Sequence, residues 1–244
     1  MVVELSAKTL LAGFLLVGLF VACGSENPTQ PPDEAAGIDA QLAIEQAVDR
    51  LLSLESAAFN LEHLEGSTVL VPGVLMTKAS GEVSVPDRFR VTVEAESEFP
   101  RSYIEISIIT IENTSYMTDI FGGGWSQVPT ESLPFNLSGL GKTLAEIVAA
   151  VQQPRAIRAE RLNDVDTIYI TGGIASQDLS GLVPGAGDDF PVILDLWLEK
   201  NGLLRQVDII GRVVPTDDAD TVRRLTLDDI NQPVDINPPG SSPG

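Results

Sequence analysis

The chain has 244 residues, 35 acidic against 15 basic, and a net charge of −20. Such a chain repels nucleic acid and anionic headgroups, which excludes nucleic-acid binding and attachment to membranes through a basic patch. At 43% hydrophobic it can build a sizeable core, and its one cysteine excludes an internal disulfide.

The first element is a leader. Leu10 to Val21 is an unbroken apolar or glycine run of 12 residues, preceded by Lys8 and the amino terminus. A membrane span needs about 20 such residues. The length is that of a signal-peptide core, so residues 1–22 read as a signal peptide. The run ends in Phe20-Val21-Ala22-Cys23-Gly24-Ser25, which resembles a bacterial lipobox. That resemblance implies cleavage before Cys23 and acylation of its sulfur, palmitate included. Phe20 stands where such motifs usually have Leu, and Glu4 weakens the positive leader. Two or three acyl chains on one residue anchor stably, whereas one gives marginal binding. Residues 23–38 then read as a lipidated tether, since GSENPTQPPDEAAGI is polar and proline-rich.

A helix follows. Asp39 caps it, and Ala40, Ile44, Ala47, Val48, Leu51 and Leu52 recur at helical spacing. Beyond it the period becomes two. Phe89, Val91 and Val93 alternate with polar residues, as do Ile104, Ile106 and Ile108. Ile109 and Ile111 switch phase, which predicts a bulge. Residues 141–152 form a second helix, with Leu144, Ile147, Val148 and Val151 on one face and Pro154 as its stop. Strands resume at Ile168 and Ile170, at Val192, Leu194, Leu196 and Leu198, at Val207 and Ile209, and at Leu225 and Leu227. Asn201-Gly202 predicts a tight hairpin, and Gly122-Gly123-Gly124 a flexible hairpin tip. Clean alternation means antiparallel strands with one wet and one covered face. The expected architecture is α+β, a large twisted antiparallel sheet over a few helices. Residues 39–232 make the domain. Residues 233–244 (PVDINPPGSSPG) read as a disordered tail.

Several stretches together resemble the LppX/LprAFG family of bacterial lipoproteins. They are Tyr116 followed by Trp125 across a glycine-rich turn, Leu137-Ser-Gly-Leu140 leading into the second helix, and Glu160 to Ile174. After them come Leu179-Ser-Gly-Leu-Val-Pro184, Leu194-Asp-Leu-Trp-Leu198, Leu204-Arg-Gln-Val207 and Asn231-Gln-Pro-Val234. The resemblance runs from about residue 40 to 238. It implies a half-barrel with helices in its concave face, similar to lipoprotein-localisation carriers. It implies a noncatalytic protein on the extracytoplasmic face of the bacterial cell membrane, holding an acylated lipid or lipoglycan. Its partners would be that ligand, the membrane through Cys23, and an envelope transporter; no cofactor is implied. On this view the apolar faces supply cavity candidates: Ile104, Ile106, Ile108, Leu144, Ile147, Val148, Val151, Val192, Leu194, Leu196, Val207 and Ile209. Alternation alone reads the same positions as a closed core, which would suit a tethered protein-interaction module instead.

Catalytic signals are weak. His63 is the only histidine, and no nucleophile-elbow motif accompanies it. No His/Cys cluster has zinc spacing. The acid clusters Asp164/Asp166, Asp188/Asp189, Asp217/Asp218/Asp220 and Asp228/Asp229 lack a calcium-loop ladder and read as solvated loops. Aromatics are 5% of the chain, few for a sugar-binding cleft. Neither catalytic nor metal-ligating residues are assigned.

Overall fold

The computed structural model describes residues 37–119, 123–133 and 136–240. The signal-peptide core, Cys23 and almost all of the tether lie outside the described residues, as does Gly122. The chain divides after Pro32, and all described residues fall in the unit Asp33–Gly244.

Helix α1 (Ala40–Leu52) begins where Asp39 accepts from the backbone N–H groups of Gln41 and Leu42 at 3.0 and 3.1 Å. Its inner face is Ala40, Ala43, Ile44, Ala47 and Leu51; Leu52 is largely exposed. Seven strands follow: β1 (Ser56–Glu65), β2 (Thr68–Val71), β3 (Val74–Ser84), β4 (Arg88–Glu98), β5 (Arg101–Ile111), β6 (Thr114–Thr118) and β7 (Trp125–Pro129). Helix α2 (Leu140–Ala149) separates them from β8 (Gln152–Leu162), β9 (Val165–Ala175), β10 (Pro191–Glu199), β11 (Leu204–Ile210) and β12 (Val222–Asp228).

All twelve strands belong to one antiparallel sheet, ordered β7-β6-β5-β4-β3-β1-β12-β11-β10-β9-β8, with β2 added on β3. Consecutive meanders run outward on either side of a central β1–β12 pair. The sheet is an open half-barrel with two helices. Its two faces differ as the alternation requires. Phe89, Val91, Val93 and Ala95 on β4, Val192, Leu194, Leu196 and Leu198 on β10, and Leu225 and Leu227 on β12 are all buried on one face. The other face carries cross-strand charge pairs, which suits a wetted surface. Lys78 sits opposite Glu94 and Arg90 pairs with Glu82 across the strands, all of them partly exposed.

Two glycines permit close approaches. A Cβ at Gly81 would lie 2.0 Å from the Arg90 carbonyl oxygen of the neighbouring strand, so only glycine fits there. A Cβ at Gly141 would lie 2.5 Å from the Leu51 carbonyl oxygen, which lets α2 rest on the last turn of α1. The Asn201-Gly202 turn forms as expected. Gly202 sits at φ +87° between β10 and β11, and Arg50 of α1 donates to the Asn201 carbonyl at 3.0 Å.

Three local expectations change. Ile109 does not mark a bulge: β4 and β5 pair without interruption from Arg88↔Ile111 to Glu98↔Arg101. Ile108 and Ile109 are both buried because this end of β5 is covered on both faces. Pro154 does not stop α2, which already ends at Ala149; it lies inside β8, where the register shifts. The edge position of β8 tolerates a residue without an N–H. Finally, packing continues past Gln232, for Ile236 is only 2% exposed.

Candidate functional site

The helices fill only part of the buried face. Leu144, Ile147 and Val148 of α2, with Val151 just after it, pack into one apolar core with Val192, Leu194 and Leu196 of β10 and Val207 and Ile209 of β11. Each of these nine is at most 8% exposed. On the other side of the β1–β12 pair the sheet keeps a gap.

That gap is a cavity of about 300 Å³. Its walls come from Phe59 and Leu61 of β1, Thr68, Val69 and Leu70 of β2, Met76 and Ala79 of β3, and Val91 and Val93 of β4. Ile106 and Ile108 of β5, Met117 of β6 and Leu225 of β12 continue it. Leu137, Leu140 and the segment Leu182-Val183-Pro184 close it over. Leu70 is 40% exposed, so one rim reaches the surface. A wider hollow of about 660 Å³ lies at the β4–β5 turn, between Glu96, Ser97, Glu98, Arg101 and Ser102. Leu75 and Tyr103 are its apolar lining and the rest is polar or charged, so the smaller, mostly apolar cavity is the better candidate for an apolar ligand.

The structure therefore separates the twelve apolar positions singled out from the sequence. Ile106 and Ile108 line the cavity. Ile104 is on the same strand but half-buried and outside the lining. The nine helix and C-terminal strand positions lie in packed core. Periodicity missed β1, β2 and β3, which supply seven of the lining residues. The alternation Phe59, Leu61, His63 in β1 was the available signal.

Two lining residues are polar, Thr68 and Arg223. They head a buried hydrogen-bond chain. Asp217 is 3% exposed and not a solvated loop acid, as its cluster suggested. Its Oδ2 accepts from the backbone N–H groups of Val213 and Val214 at 2.9 and 3.0 Å and from Arg223 Nη2 at 2.7 Å. Arg223 Nε and Nη2 both donate to Thr68 Oγ1, at 3.1 and 2.8 Å. With both lone pairs so occupied, the Thr68 hydroxyl donates its proton to His63 Nε2, 2.9 Å away. His63 Nδ1 then carries the imidazole proton and donates to the Thr77 carbonyl at 3.2 Å. That arrangement needs a neutral ring. Burial, seconded by the Arg223 charge, holds the His63 imidazole below its usual range; the Thr77 contact and Asp217 pull the other way.

Among the described residues no group of three or more His, Cys, Asp or Glu could hold a metal ion. No described helix is long and apolar enough to cross a membrane.

A family model described as LppX_LprAFG lipoprotein matches residues 39–236. The crystal structure of LprF from Mycobacterium bovis matches with a TM-score of 0.64 at 18% identity, covering 83% of this chain and 97% of that one. The Mycobacterium tuberculosis lipoprotein LppX matches with a TM-score of 0.55, again at 18% identity, over 85% of this chain and 100% of that one. At such identity the likeness speaks to fold, and both share this open half-barrel. A comparison with curated protein sequences finds no match. With a match spanning nearly all described residues and the same sheet in its relatives, the chain belongs to the LppX_LprAFG lipoprotein family.

Proposed function

We propose that this protein is a noncatalytic carrier that holds an acyl chain of a lipid in the cavity under β1–β6 and ferries it within the cell envelope. The observation behind this reading is an apolar gap of about 300 Å³ in a sheet whose other half is packed shut. Empty apolar space forfeits contacts, so its persistence beside a dense core favours a chain-like occupant. The volume is at the lower end for small-molecule pockets, which suits one chain better than several.

The energetics fit exchange with a membrane. Each methylene withdrawn from water is worth about 0.8 kcal/mol, and a bilayer offers nearly the same gain. A wall of Ile, Leu, Val and Met matches the bilayer without directional contacts, so transfer is close to neutral and reversible. Organic extraction of the protein purified from its own host, followed by mass spectrometry, is expected to release lipid near one equivalent per chain. A protein that yields none is a closed interaction module.

The tether completes the proposal. Cys23 carries the acyl anchor on the extracytoplasmic face of the membrane. Residues 24–38 act as the spacer between that anchor and the domain. Cys23→Ala is expected to abolish incorporation of labelled fatty acid and to move the protein out of the detergent phase. Wild-type chain that never takes up label would remove the anchor from this account.

A further inference from the structure

One wall of the cavity is held differently from the rest. Strand β2 contributes Thr68, Val69 and Leu70 to the lining, and Leu70 brings it to the surface. The strand is four residues long, pairs only with β3, and shifts register between Val69 and Val71. Gly66 and Gly73 flank it at φ +76° and +81°, left-handed conformations that glycine adopts at little cost. A short strand with one partner and a glycine on either side opens locally more readily than the middle of a sheet.

Side-chain contacts tie its first residue down. Thr68 Oγ1 accepts two N–H groups of Arg223 from β12, and its own proton goes to His63 Nε2 on β1. The hydroxyl then has no capacity left. A proton added at Nε2 would make both ring nitrogens donors, so that Nε2–H and the Thr68 O–H face each other. It would also set a second cation against a hydroxyl that Arg223 already holds. The groups facing the ring are the Thr77 carbonyl from β3, Thr68 from β2, Arg223 from β12 and, beyond Arg223, Asp217. Asp217 is the one carboxylate among them, and its Oδ2 already holds Arg223 at 2.7 Å. Glu62 and Lys78 pair in the next row, which alternates to the other face of the sheet, while Glu65, Asp218 and Asp220 are exposed. Nothing there balances a second positive charge, so the contact that yields is the one made by the loosest strand.

Resting on the carrier reading, we propose that β2 is a proton-operated flap: a proton taken up by His63 releases Thr68, and Thr68–Val71 lifts from the cavity mouth at Leu70 so that the bound chain can leave. The sign is fixed by the ring. Opening returns it to water and to its ordinary pKa of about 6.5, whereas the closed state holds it lower, chiefly by burial. Closure is therefore favoured above that pH and loses its advantage as the pH falls below it.

Amide hydrogen exchange of the full chain at pH 7.5 and 5.5, each rate divided by the intrinsic one, reads the opening. His63 is the only histidine, so no other side chain of ordinary pKa titrates in this window. Opening of residues 68–71 is expected to rise about tenfold, because a released imidazole is protonated about ten to one at pH 5.5. Strands β9 to β11 should not change. Uptake of N-phenyl-1-naphthylamine, a dye uncharged at both pH values, by protein stripped of bound lipid should quicken by the same factor. His63→Gln keeps an acceptor for the Thr68 hydroxyl and cannot take up the proton, so both effects should vanish. If that variant does not fold, the wild-type imidazole followed by NMR should titrate with the same midpoint as the exchange. Unchanged opening at pH 5.5, an equal rise across β9 to β11, an effect that survives in His63→Gln, or an imidazole midpoint apart from that of exchange would each overturn the flap and leave the carrier reading intact. A protein that carries no lipid from its host and takes up no dye at either pH would overturn the carrier reading and the flap with it.

Discussion

Asp217→Ala is expected to destabilise the fold by about 3–5 kcal/mol, the cost of leaving a buried partner charge uncompensated. Arg223, fully buried, would keep its charge and lose its carboxylate. The N–H groups of Val213 and Val214 would lose their acceptor in the same step. For a domain of this size that corresponds to a Tm lower by roughly 10 °C. Chemical denaturation of wild type and variant, compared at equal m-value, measures it. Asp217→Asn should fall between the two, because its amide oxygen still accepts from the backbone. By contrast, Glu146→Ala removes an exposed i,i+4 partner of Lys142 and should change stability by less than about 0.5 kcal/mol. A loss near 0.5 kcal/mol for Asp217→Ala would mean that water reaches Arg223 and stands in for the carboxylate.

Ala79→Phe is expected to expel bound lipid while leaving the fold nearly as stable as wild type. Ala79 lines the cavity, so the added ring enters space that is already empty. Lipid recovered by extraction should fall about tenfold, with stability moved by less than about 1 kcal/mol. Val148→Trp is the matching control. Val148 is 1% exposed in the core between α2 and the sheet, and it does not line the cavity. Enlarging it should cost about 1–3 kcal/mol or more and lower Tm, with no selective loss of lipid. Retention of lipid by a folded Ala79→Phe protein would move the ligand elsewhere. Equal destabilisation of the two variants would mean that the gap under β1–β6 is packed as tightly as the rest.

Local patterns in the chain were enough for much of the architecture. A side chain's place in a period of two or 3.6 is set by neighbours in sequence. Asp39 at the start of α1, the inward set Val192, Leu194, Leu196 and Leu198, and the Asn201-Gly202 turn were therefore all legible. The open antiparallel sheet with its few helices followed from the same alternation and from the family resemblance. What stands opposite an inward side chain is not a local property. Ile106 and Leu194 obey one rule of alternation, yet the first faces a cavity and the second faces packed core, because Leu144, Ile147 and Val148 of α2 fill the space over the C-terminal strands while a gap is left under β1–β6. Pro154 looked like a helix stop until the strand order put β8 at an edge. Asp217 looked like one acid among three on a wet loop. Its burial depends on Arg223 six residues later and on Thr68, which lies 155 residues from Arg223 in the chain. Only the tertiary fold decides whether two such charges meet, because the contact that makes burial tolerable is made across the sheet and leaves no period in the sequence.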